Sequence, residues 1–246
     1  MQPSSEVAGQ ELVQRGMALF KAGAYTDAGA ALEQAFGAFI RAERLVHAAR
    51  VAIRLRQLYT TLDEPAAARG WEQRASRVLE RIGPCVERGY LALSVTGCEV
   101  RDPCDLAAKA ELALGLARQF GDHELELRAL ADKGLALIGL GQVDDGLALL
   151  DEVMVAVAAG EIANPEIRGT TICAMLAACE RTGDAARAAY WSQKVENDRY
   201  LNEIPIVGTH CLMAQGAVES LLGRWSRAEE RLRAAMQAGM TTAYHT

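Results

Sequence analysis

The chain predicts an all-α fold, a solenoid of about six helix pairs with a period near 40 residues, and three observations carry that expectation. Of its 246 residues 45 are alanine, whereas Phe, Trp and Tyr together make up 5% and proline supplies only 6. Alanine is the best helix former and aromatics favour strands, so the balance opposes a β-rich fold. A breaker, followed by a small residue that opens an amphipathic run, returns at positions 23, 63, 101, 141, 183 and 223, at intervals of 40, 38, 40, 42 and 40 residues. A fixed period of this size marks stacked supersecondary units. Finally, small residues recur seven before the breaker (Gly16, Gly134, Gly216) and five after it (Ala28, Ala68, Gly146, Ala188, Ala228). Glycine inside a helix costs about 1 kcal/mol against alanine, so its recurrence implies two helices in close approach.

The pairs follow in order. The first, near 8–40, has Leu12, Gly16 and Leu19 at helical spacing, the phrase Gly23-Ala24-Tyr25-Thr26-Asp27-Ala28, then Ala28, Leu32 and Ala35. In the second and third pairs, near 46–82 and 86–120, the breaks are Asp63-Glu64-Pro65 and Arg101-Asp102-Pro103. Pro65 and Pro103 suit the first turn of a helix, where the missing N–H costs nothing. Both pairs depart from the pattern, with Arg56 and Ser94 in the small-residue position. The fourth pair, near 125–159, shows Leu130, Gly134 and Leu137 before Gly141. The fifth, near 166–198, breaks at Gly183-Asp184, and the sixth, near 206–238, at Gly223-Arg224-Trp225, followed by Ala228, Leu232 and Ala235. At each break a glycine is expected to end one helix and an Asp or Ser to cap the next. The whole of 1–246 reads as one repeat domain. Residues 241–246 look like the start of another helix, so the C-terminal end reads as uncapped, in a fragment or in a homodimer joined through that end.

Composition narrows the function. With 26 Lys+Arg against 32 Asp+Glu the net charge is −6, which opposes direct nucleic-acid binding. No apolar run approaches the roughly 18 residues of a membrane span, and the N-terminus lacks the basic and apolar regions of a secretory signal, so a soluble, cytoplasmic protein is expected. Six cysteines (Cys85, Cys98, Cys104, Cys173, Cys179, Cys211) form no C-x-x-C pair and read as small hydrophobes. None of the four lysines follows a glycine, so there is no P-loop, and His123-Glu124 lacks the second histidine of a zinc helix because residue 127 is Leu. No nucleophile elbow occurs. No cofactor, metal or catalytic residue is expected.

The small-residue pattern and the Gly-x-Tyr-x-x-Ala phrase at the first turn resemble the tetratricopeptide repeat over about residues 8–238. The resemblance implies a right-handed superhelix whose first helices line a concave groove. Carried over position by position, the groove's outermost row reads Gln10, Arg50, Arg88, Arg128, Thr170 and His210, and the next Val13, Ile53, Leu91, Ala131, Cys173 and Met213. Gln57 and Glu180 fall in the inner rows. The expected binding residues are therefore Arg50, Arg88, Arg128, His210, Ile53, Gln57, Leu91, Glu180 and Met213, a guanidinium ladder beside an apolar strip suited to an acidic peptide.

The phrases Ala67-Ala68-Arg69-Gly70-Trp71, Gly146 to Met154, Ala189-Tyr190-Trp191 and Gly208 to Cys211 are similar to the helical-repeat region of actinobacterial LuxR-type transcriptional regulators. That resemblance implies a non-catalytic protein or peptide interaction module in a regulatory protein. A sensor binding a small acidic ligand in the groove is the second expectation. An enzyme on the same scaffold, using Glu180, His210 or Cys173, is the third.

Overall fold

The protein, in a computed structural model, is described over residues 5–94, 102–195 and 205–244, with side chains described for all of these except 5, 205–211 and 238–244. Within them every regular element is a helix. They are α1 (Ser5–Lys21), α2 (Tyr25–Arg41), α3 (Leu45–Thr61), α4 (Pro65–Glu80), α5 (Glu87–Ala92), α6 (Pro103–Phe120), α7 (His123–Gly139), α8 (Val143–Ala159), α9 (Pro165–Thr182), α10 (Ala185–Val195), α11 (Pro205–Leu221) and α12 (Trp225–Tyr244). The expected all-α helical repeat is what the chain forms. No helix among the described residues is long and apolar enough to cross a membrane.

Where the sequence reads as one array, the contacts form two compact units, one within residues 1–94 and one within 95–241, dividing inside the third period. In the first unit, α1 packs on α2, α2 on α3 and α3 on α4, with α5 against α3 and α4. In the second, α7, α9 and α11, the first helices of three successive pairs, pack in sequence, and α8 and α10 pack against α9.

The turns are built alike. At the break of the fourth pair Gly141 has φ 85°, its N–H donates to the Ile138 carbonyl, and Gln142 N–H reaches back to Leu137. These bonds satisfy carbonyls that a helix end leaves without partners. Asp63 makes the same turn at φ 57°, and so does Glu43 at φ 55°, between pairs. The chain therefore turns at 23, 43 and 63, twice per period, and the sequence reading marked only alternate turns. Pro65 and Pro103 do start helices, as does Pro165. Side-chain caps come from Asp102, Asp122, Asn164 and Asp184. The expected cap is absent at Ala24, Glu64 and Gln142, whose side chains bond no helix N–H.

In the first, fourth and sixth pairs the helices touch where the small residues stand. A Cβ placed on Gly134 would lie 2.8 Å from the Gly146 carbonyl oxygen, and one on Gly146 only 2.5 Å from that of Gly134. Gly16 and Gly216 are covered instead by Leu32 and Leu232, at 2.9 and 2.7 Å from a Cβ. Leu32, Leu150 and Leu232 each stand nine residues after their break, so one leucine per pair fills the space a glycine leaves. The second pair solves the same register with charge: Arg56, buried in the glycine position, faces Glu72 in the leucine position, Nε to Oε2 at 3.5 Å, and donates a further bond to the Ser94 carbonyl.

Gly146→Ala should therefore destabilise by about 1–3 kcal/mol, because overpacking against backbone outweighs the gain in helix propensity. Gly115→Ala, in α6 with nothing within 4 Å of the new methyl, should stabilise by up to about 1 kcal/mol. Urea denaturation of the two variants, followed by circular dichroism, checks the opposite signs.

Candidate functional site

In the first unit the structure places Arg50, Ile53 and Gln57 on α3 and Arg88 and Leu91 on α5. Arg50 Nε donates to Glu87 Oε1 at 2.8 Å, and while the arginine side chain is 59% exposed the glutamate is 3% exposed. Arg88 turns inward: Nη2 donates to the carbonyls of Leu79 (2.6 Å) and Ile82 (3.3 Å), closing the C-terminal end of α4. A cation there also meets the negative end of the helix dipole. Ile53 is core, and Gln57 and Leu91 are half-buried. The Cys85 thiol, beside Glu87, is pushed up by burial and by that carboxylate. Of the two ladder arginines in this unit, Arg50 and Arg88, only Arg50 keeps its guanidinium at the surface.

In the second unit Arg128 is buried, its Nε 3.0 Å from Asp132 Oδ2, with a further bond to Thr170 Oγ1. An arginine so placed holds α7 to α9 and offers no open guanidinium to a ligand. Glu180 and Met213 are exposed, and the side chain of His210 lies outside the described residues. The open ladder expected of Arg50, Arg88 and Arg128 is thus engaged with the protein itself at each position, twice in buried or half-buried settings. The physical reason is that a guanidinium on a packed helix face finds carbonyls and carboxylates of the neighbouring turn before it finds solvent.

A hollow lies elsewhere, among the last helices of the second unit. A cavity of about 350 Å³ opens between α10, α11 and α12, walled by Tyr190, Gln193 and Gln215 and by Arg224, Arg227 and Arg231. The three arginines stand at i, i+3 and i+7 and so share one helix face. On the other side of Tyr190 a more open hollow is lined by Asp151, Asp184, Arg187 and Trp191. Its carboxylates are engaged: Asp151 Oδ1 accepts from Trp191 Nε1 at 2.8 Å and lies 3.3 Å from Arg187 Nε, and Asp184 Oδ2 lies 2.6 Å from Arg187 Nη1. On the last helix pair, α11 and α12, several large apolar side chains face solvent, with Trp225 70% exposed, Met236 66% and Met213 53%, and Leu221 and Leu232 less so.

Sequence reasoning missed this corner because it assigned binding to the first helix of each pair, whereas the cavity is walled largely by the second helices α10 and α12. The i, i+3, i+7 arginines after Gly223 were the readable signal. Among the described residues no group of three His, Cys, Asp or Glu is placed to hold a metal ion, and Cys85, Cys104, Cys173 and Cys179 take part in no disulfide. Cys98 and Cys211 lie outside the described side chains. No protein-family model and no curated protein matches the chain.

Asp132→Leu, which leaves Arg128 buried and unpaired, should cost about 3–5 kcal/mol in urea denaturation, and adding Arg128→Met should recover most of it. Burial raises the Cys179 thiol to about 11, so at neutral pH it stays protonated and should resist alkylation until unfolding, while exposed Cys104 reacts first. Peptide mapping after a timed iodoacetamide pulse separates the two sites.

Proposed function

We propose that the chain is a helical-repeat interaction module that holds a protein or peptide partner and carries out no reaction of its own. The observation that carries this reading is the exposure of large apolar side chains on the last helix pair. Trp225, Met236 and Met213 each leave more than half their surface in water. Aromatic, methionine and arginine side chains are the types enriched where proteins meet. The tetratricopeptide resemblance of the sequence supports the same class of function. The similarity to LuxR-type regulators adds a bacterial regulatory setting in the cytoplasm, with this region taking an input and not reading bases.

In affinity capture from the source cells, the wild-type chain should retain a partner that the Trp225→Ser, Met236→Ser double variant does not. Both side chains are exposed, so the variant should keep its helical content and melting temperature. An unchanged set of captured proteins with the fold intact would rule out this face as the binding surface.

A further inference from the structure

We infer that the cavity between α10, α11 and α12 seats an acidic segment of the partner protein, its carboxylates held by Arg224, Arg227 and Arg231. This rests on the reading of the chain as an interaction module and adds the chemistry of what it holds. The charge balance of the lining comes first. Three guanidinium groups border the cavity and one carboxylate, Glu219, which lies 3.4 Å from Arg224 Nη1. Arg227 is exposed and has no ion-pair partner among the described residues. Arginines three and four apart on one helix repel one another, and the first turn of a helix is where cations are least favoured. A bound anion relieves both.

The neutral lining points the same way. Ser192 Oγ is buried in the cavity wall without a hydrogen-bond partner among the described residues, a donor available to an entering oxygen. Gln193 and Gln215 bring further amide donors. Tyr190 forms part of the wall, its ring 4.9 Å from that of Trp191 in an edge-on contact and 5.6 Å from the Lys194 ammonium. Guanidinium forks match carboxylates in paired hydrogen bonds, which gives orientation as well as attraction.

Size and surroundings select a chain segment as the occupant. About 350 Å³ lies at the small end of ligand cavities, enough for two or three side chains and too little for a folded domain. Trp225 follows Arg224 directly in the chain and stands 70% exposed. Arginine and tryptophan side by side are the usual anchors of a protein contact.

The test is fluorescence anisotropy on the full chain with a labelled peptide of six consecutive glutamates, against a peptide of six glutamines. The glutamate peptide should bind, more weakly as salt rises, and the glutamine peptide should not. Arg227→Glu should weaken binding at least tenfold with an unchanged melting temperature, while Arg233→Glu, outside the cavity lining, should change it less than twofold. Equal binding of the two peptides, or equal loss in the two variants, overturns the inference. So does displacement of the peptide by free glutamate or inorganic phosphate at equal concentration of anionic groups, which would make this a small-anion site. Should the acidic peptide fail while the Trp225→Ser, Met236→Ser variant still loses its captured partner, the acidic segment falls and the interaction module stands.

Discussion

The contact on which the helix pairs depend is the meeting of two helices where one of them lacks a side chain. Gly134 and Gly146 bring backbone to backbone at distances no Cβ would tolerate, and Gly16 and Gly216 admit a leucine to the same depth. Close approach maximises dispersion contact and removes apolar surface from water, which offsets the helix-propensity cost of each glycine. Because the glycine and its leucine stand at fixed distances from the break, the contact also sets the register of the two helices. The turn between them has little freedom left.

The second pair shows that the constraint is geometric and not tied to one residue type. Arg56 and Glu72 occupy the registers of glycine and leucine, and the arginine reaches on to the Ser94 carbonyl at the end of the described part of the first unit. In the fifth pair the two registers hold Leu176 and Ser192, the large and small residues exchanged between helices. That exchange leaves a hydroxyl where other pairs carry a leucine. The hydroxyl borders the cavity at the final helices.

Charge is divided between structure and surface in a way composition does not disclose. Arg56, Arg88 and Arg128 serve helix ends and buried carboxylates, and their removal would be felt as lost packing. Arg224 and Arg227 are exposed at the cavity mouth. A buried arginine pair contributes little net stability and holds one geometry firmly, whereas an exposed guanidinium remains available for a partner.

Amino-acid order by itself determined the helical class, the period and the glycine contacts, because each is a local regularity: a breaker, a stripe at helical spacing, a small residue at a fixed offset. It showed half of the turns, since Glu43 makes with an ordinary residue the left-handed bend that elsewhere uses glycine. Which arginines reach solvent, and that a hollow lined by arginines gathers at α10–α12, were decided by tertiary structure alone. A side chain's partners come from residues about 40 positions away, as Glu87 does for Arg50 and Thr170 for Arg128. Periodicity places such residues on a face but says nothing of how far a flexible guanidinium will reach across it.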